Sequence, residues 1–227
     1  MSLFQRHVSS RVVDYAWAYR RRFDALRKRD PDEYRVGDLR PVLILPGVYE
    51  SWHFLEAAAR RLSAAGHPVH VVPTFGRNLR PIPDMAELAR SYVVQADLTD
   101  VLVVAHSKGG LIGKTLMLTP DGERRVSSMV AINSPFGGSD YARLVPIRTL
   151  REFVPTHATI RSLNANAEVN SRIVSIFSSW DPIIPNSSLL DGATNLELPI
   201  TGHFRILDNP ELLDAVVEIA GATPAGG

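Results

Sequence analysis

One serine in this chain stands where backbone geometry alone would expose it for reaction. Residues 101–113 read Val-Leu-Val-Val-Ala-His-Ser-Lys-Gly-Gly-Leu-Ile-Gly, an apolar strand running through small residues into a helix, with Ser107 at the junction. A nucleophile there needs a strained strand-to-helix turn that presents its Oγ. That turn demands small side chains two residues before and two after, and Ala105 and Gly109 meet the demand. Serine is also a favoured helix N-cap, which would account for Ser107 by itself. It would not account for Gly109 and Gly110, which follow at once inside a helix where glycine costs about 1 kcal/mol relative to alanine. A serine hydroxyl is a weak nucleophile at neutral pH, so it requires a base within hydrogen-bond reach and a carboxylate to orient that base. The backbone N–H of Lys108, next in the helix, is placed to donate to a developing oxyanion. The Lys108 cation opposes the positive end of the helix dipole, and a carboxylate partner at the surface is the expected compensation.

These residues resemble the nucleophile elbow of the α/β-hydrolase superfamily, commonly Gly-x-Ser-x-Gly, with Ala105 replacing the first glycine; the similarity runs from about Arg40 to the last helix. The resemblance implies a chain order of serine, then an acid after a late strand, then a histidine beyond the final strand. Asp181, in Asp-Pro-Ile-Ile-Pro, and His203, in Thr-Gly-His-Phe, match that order, and Pro182 restrains the acid's loop. The plain alternative for Asp181 is a turn former, since Asp-Pro pairs start turns. His157 and Asp140 rank second as base and acid, while His106 and His70 read as structural and His53 and His67 fall too early. The segment Leu45-Pro-Gly-Val-Tyr49 resembles the superfamily's His-Gly-x loop, with Pro46 in place of histidine. It implies a second oxyanion donor from the backbone N–H of Val48 or Tyr49. Asn133-Ser-Pro-Phe-Gly-Gly-Ser139 resembles a Thr-Pro-His-x-Gly-Ser stretch of lipases and related lipid deacylases, with Phe136 in place of histidine. The resemblance thus implies a serine-dependent carboxylic ester hydrolase, esterase- or lipase-like, acting on a small-molecule ester or lipid without metal or other cofactor. An acyltransferase or thioesterase on the same three residues, or a non-catalytic hydrolase-like binding protein, are the alternatives.

The elements that must position these groups can be read from periodicity. Short apolar runs at 41–45, 69–72, 101–105, 126–132, 173–177 and 194–198 alternate with segments near 53–65, 84–96, 108–118 and 141–153 that can be helical. Repeated βα units of this kind predict an α/β fold, a doubly wound and mostly parallel sheet with helices on both faces. Residues 134–171 carry Leu144, Val145, Ile147, Leu150, Phe153, Val154, Ile160 and Leu163, either a small lid over the site or ordinary crossover core. Trp180, Trp52 and Tyr49 lie near the site residues in sequence and either line an acyl pocket or pack elsewhere. Residues 1–39 read as a helix and linker, 40–220 as the catalytic domain, and 221–227 as a disordered tail. The N-terminal helix spaces Val12, Tyr15, Ala16, Tyr19, Phe23 and Leu26 along one stripe beside many arginines. Its basic face reads as a solvated surface, with peripheral contact to anionic lipid the less favoured reading.

Composition narrows the field further. The 227 residues, 45% of them hydrophobic, suit one domain with a substantial core. Net charge is +1, from 25 Lys plus Arg against 24 Asp plus Glu, so no global field favours nucleic acid. The absence of cysteine removes disulfides, thiolate metal sites and a cysteine nucleophile. No His-Glu-x-x-His, dinucleotide or P-loop pattern points to a metal or nucleotide. No run approaches the roughly 18 apolar residues of a membrane span, and the first thirty residues hold no signal-like run, so a cytoplasmic location is the expectation.

Overall fold

The computed structural model describes residues 3–24, 29–143, 148–184 and 188–222. Among them, strands β1 (Val42–Leu45), β2 (Val69–Val71), β3 (Val101–His106), β4 (Val126–Ile132), β5 (Ile173–Trp180) and β6 (Thr194–Thr201) form one sheet. Its order is β2-β1-β3-β4-β5-β6, with every neighbouring pair parallel. All six runs read from the sequence become strands. The helices are α1 (Leu3–Asp24), α2 (Glu56–Ala64), α3 (Ile82–Gln95), α4 (Lys108–Met117), α5 (Pro120–Arg125), α6 (Arg148–Arg151), α7 (Ala158–Ala165) and α8 (Pro210–Gly221). Where one helix was expected over 141–153, the chain makes a 3-10 turn at Asp140–Arg143 and the single-turn α6. Leu26, Leu144, Val145, Ile147 and the tail from residue 223 lie outside the described residues.

The central strands β1, β3 and β4 are mainly apolar because both faces of the sheet are covered, as parallel sheets require, with Ser127, Ser128 and His106 as the polar exceptions. Alternation then sends Val42, Ile44, Leu102, Val104, Val130 and Ile132 into one core, shared with α2 and α8. Leu43, Leu45, Val103, Ala105, Met129 and Ala131 enter the opposite core with α3 and α4. After β1 the chain moves outward to β2, then returns to form β3 on the other side of β1. The loops leaving β1 and β3 therefore diverge at their carboxyl ends, the place where open α/β sheets hold ligands.

Helix α1 buries a different face from the one its apolar stripe suggests. Asp14 and Ala18 are buried, Trp17 is half-buried, and Arg21 reaches Asp208 beside them. The Trp17 indole N–H also donates to Asp208, and its ring meets Phe54 edge-on at 5.8 Å. Asp14, Trp17, Ala18 and Arg21 have a three-and-four spacing of their own, so periodicity alone admitted either face. Polar partners on the body of the domain select this one, and Val12, Tyr15, Tyr19 and Phe23 are left exposed.

Candidate active site

Ser107 sits between β3 and α4 with φ 52° and ψ −120°, a sparsely populated conformation for a non-glycine residue. Its hydroxyl makes no capping bond to α4, so the N-cap explanation of this serine fails on geometry. The neighbouring glycines are steric necessities. A Cβ on Gly109 would lie 2.0 Å from the Leu45 carbonyl oxygen, and one on Gly110 would lie 2.1 Å from Ser134 Oγ. Helix α4 can approach β1 and β4 this closely only without side chains at those positions, which is what the elbow demands.

Asp181 divides its carboxylate between two tasks. Oδ1 accepts the backbone N–H groups of Ile183 at 2.8 Å and Ile184 at 3.0 Å, so the residue does initiate a turn. Oδ2, freed by that turn to point one way, lies 2.6 Å from His203 Nδ1. Burial raises the carboxyl pKa, but the His203 charge, its hydrogen bond and the two backbone N–H groups outweigh burial and hold it below the ordinary value. An ionised carboxylate only accepts, so His203 Nδ1 carries the proton and Nε2 is left with a lone pair. Burial likewise lowers the His203 pKa, and the Asp181 charge and hydrogen bond outweigh it to give a net rise, with Glu50 and Asp14 adding to the effect.

The peptide of His203 is held on both sides by residues remote in sequence. Asp14 of α1, buried from water, accepts the N–H groups of His203, Phe204 and Arg205 at 2.8, 2.9 and 2.9 Å. The His203 carbonyl accepts Asn133 Nδ2–H at 3.0 Å and His106 Nε2–H at 3.0 Å. His106 in turn sets Nδ1 2.9 Å from the Glu50 carboxylate, and Glu50 also accepts the Gly47 N–H at 2.7 Å. The loop after β1, the elbow after β3 and the histidine loop after β6 thus share one buried network. Asp14 and Glu50 escaped the sequence reading, and His106 is structural as expected but with this specific duty. The only local signal for Asp14 was a carboxylate on the minor stripe of α1.

We expect Asp14→Asn, which keeps one acceptor oxygen and loses the charge, to destabilise the fold by about 2 kcal/mol in urea unfolding.

Ser107, His203, Val48 and Tyr49 line a cavity of about 520 Å³, and Asp181 lies behind His203, with Pro182 and Ile183 on the wall. Ser107 and His203 face this space without a hydrogen bond to each other; such contacts commonly tighten once substrate is bound. Ala142, Leu150, Phe153 and Ile184 supply an apolar side, so segment 134–171 contributes both to the cavity and, through Ile160 and Leu163, to the core. The Tyr49 N–H donates to the Arg77 carbonyl at 2.9 Å, whereas among the described residues the N–H of Val48 has no such acceptor. Of the aromatics near the site residues, Tyr49 lines the cavity, while Trp52 stacks on His53 at 4.1 Å and Trp180 lies beneath Arg11.

Three expectations need correction or ranking. Lys108 is fully buried rather than paired at the surface: Nζ donates to the carbonyls of Asn78 at 3.2 Å and Arg80 at 2.5 Å. Burial lowers its pKa to about 8, with the Glu152 charge acting the other way. His157 caps α7, its Nδ1 accepting the Thr159 N–H, and does not line the cavity. Asp140 is exposed at the start of its 3-10 turn, away from the cavity lining.

No protein-family model matches the chain, and no curated protein matches it by sequence. Solved structures do resemble it. The mature lipase BlEst2 of Bacillus licheniformis superposes with a TM-score of 0.64 at 13% identity, over 86% of this chain and 94% of that one. Lipase B of Aspergillus fumigatus gives 0.67 at 18%, over 86% and 55%. A predicted CIB-like hydrolase of Thermoplasma acidophilum gives 0.58 at 14%, over 81% and 87%. The chain has the α/β-hydrolase fold. Within the α/β-hydrolase fold, the crevice after β1 and β3 is the position where the Ser107 elbow and the Val48 loop meet.

Proposed function

We propose that this chain is a serine hydrolase that cleaves carboxylic esters through an acyl-serine, with Ser107 as nucleophile, His203 as base and Asp181 as the acid that orients it. The observation that carries this reading is the 2.6 Å His203–Asp181 contact on the wall of the cavity that the strained Ser107 elbow also faces. In the first half-reaction His203 Nε2 takes the Oγ proton as Oγ bonds to the ester carbonyl carbon. The carbonyl oxygen becomes an oxyanion, which the N–H groups of Val48 and Lys108 are assigned to stabilise. Collapse breaks the bond to the alkoxy oxygen, which leaves as an alcohol with the proton from Nε2. Water then attacks the acyl-serine by the same proton path, releasing the acid and restoring Ser107. No step requires a metal or other cofactor. The apolar side of the cavity suits an acyl chain, and the structural likeness to lipases and a hydrolase supports the same class.

A fluorophosphonate probe, which reacts with activated serine, tests the assignment directly. Wild-type protein should label rapidly, His203→Ala about 10³-fold more slowly or worse, and Ser107→Ala not at all. Failure of folded wild-type protein to label would refute the reading and favour a binding protein; labelling that survives Ser107→Ala would mean a different serine. Product analysis with a competing alcohol separates hydrolysis from acyl transfer: ester formed at water's expense would reassign the reaction.

A further inference from the structure

The exposed face of α1 is built for a surface other than water. Val12, Tyr19 and Phe23 are 65%, 58% and 69% exposed, and with Tyr15 and Ala16 they form one continuous stripe. The stripe from residue 12 to residue 23 spans about 17 Å of helix. A protein that merely solvates a helix face has no reason to gather its aliphatic and aromatic side chains there. Arg11, Arg20 and Arg22 flank the stripe, exposed, and among the described residues no carboxylate pairs with any of them. Arg21, by contrast, turns inward to Asp208 and Glu56, whereas Arg11 lies over the Trp180 ring and Arg22 over the Tyr19 ring, each 5.7 Å from the ring centroid. Among the described residues no helix is long and apolar enough to cross a membrane, so the stripe does not belong to a spanning segment.

We propose that α1 docks this protein on an anionic phospholipid surface, lying in the interface with Val12, Tyr19 and Phe23 inserted and Arg11, Arg20 and Arg22 against the headgroups. An apolar stripe edged by cations on a helix of low mean hydropathy is the form of an in-plane interfacial helix. A second copy of this chain fits less well, because pairing two such stripes by a two-fold axis sets arginines against arginines. The placement has a further consequence, which rests on the catalytic reading above. Arg11, Tyr15 and Arg22 belong both to this helix and to the lining of the cavity that holds Ser107. Asp14, on the inward side of the same helix, ties it to the histidine loop, so the cavity mouth is held at a fixed place relative to the docked face.

Flotation of the full-length protein with vesicles tests the docking without any activity readout. Phosphatidylcholine vesicles containing about 30% phosphatidylglycerol should retain wild-type protein at least about tenfold better than pure phosphatidylcholine. Raising salt from about 0.1 M to 0.5 M should erase most of the difference. The triple substitution Val12→Ser, Tyr19→Ser, Phe23→Ser should reduce binding to anionic vesicles about tenfold or more, with the melting temperature and hydrolysis of a soluble short-chain ester unchanged. Equal retention on both vesicle types, no retention on either, or undiminished binding by the triple variant would overturn the proposal. So would a concentration-dependent dimer in light scattering that the triple substitution abolishes, since the stripe would then serve self-association. Docking that holds while the fluorophosphonate fails to label would leave this surface standing and remove only the catalytic reading.

Discussion

Ser107→Ala should lower kcat on a short-chain ester by about 10⁵- to 10⁶-fold while the chain keeps its fold and its cavity. The magnitude follows from what the proposed mechanism loses: without Oγ no acyl-serine forms, and only binding and the assigned oxyanion donors remain to help direct attack by water. The same position gives an independent readout in stability. A φ of 52° with ψ −120° is unfavourable for any residue with a Cβ and is tolerated here only because the sheet and α4 hold it. Ser107→Gly should therefore be more stable than Ser107→Ala by about 1 kcal/mol in urea unfolding, although both are inactive. Equal stability of the two would mean that the elbow is unstrained; substantial activity in either would discard Ser107 as nucleophile.

Asp181→Asn should lower kcat by about 10⁴-fold with KM nearly unchanged, because an amide can hold the imidazole in the wrong tautomer and withdraws the charge that supports its protonated form. The pH profile supplies the sign. In the proposed mechanism His203 must be neutral to accept the Ser107 proton, and its pKa stands above the ordinary value of about 6.5 in the folded chain. For wild type, kcat/KM should fall as pH drops through a midpoint above about 6.5. Removing the Asp181 charge takes away the leading contribution that raises the His203 pKa, so the residual activity of Asp181→Asn should retain its acid limb at lower pH. A limb that stays put would mean that another group governs it. The Asn side chain can still accept from Ile183, so loss of the loop itself is not the expected cause.

Much of this molecule was legible before folding because the signals are local. The positions of the inner strands follow from mainly apolar runs of four to seven residues, the edge strand β6 is mainly polar and exposed over 194–197, and the doubly wound sheet follows from the alternation of strands with helical segments. Each depends on residues a few positions apart. The elbow was legible for the same reason, since Ser107, Gly109 and Gly110 answer to one turn and to the two strands beside it. The resemblance of motifs singled out Asp181 and His203 by their order along the chain, and the fold brings their side chains within 2.6 Å of each other.

What only the tertiary structure decided involves groups brought together across long stretches of chain. Nothing near residue 14 announces that its carboxylate will receive three N–H groups from residues 203–205, about 190 positions later. Lys108 looked like a surface cation because helix starts are usually exposed, yet the loop at Asn78–Arg80 folds over it and supplies carbonyl acceptors. Val48 and Tyr49 differ because the Arg77 carbonyl engages the Tyr49 N–H, while among the described residues the Val48 N–H has no such acceptor. In the same way, α1 had two stripes of suitable spacing, and its apolar one ended outward because the inward one found Asp208 and the histidine loop as partners. Periodicity ranks faces by hydrophobicity alone, whereas burial of a charged group is decided by whether enough donors meet it, and only the folded chain brings those donors together.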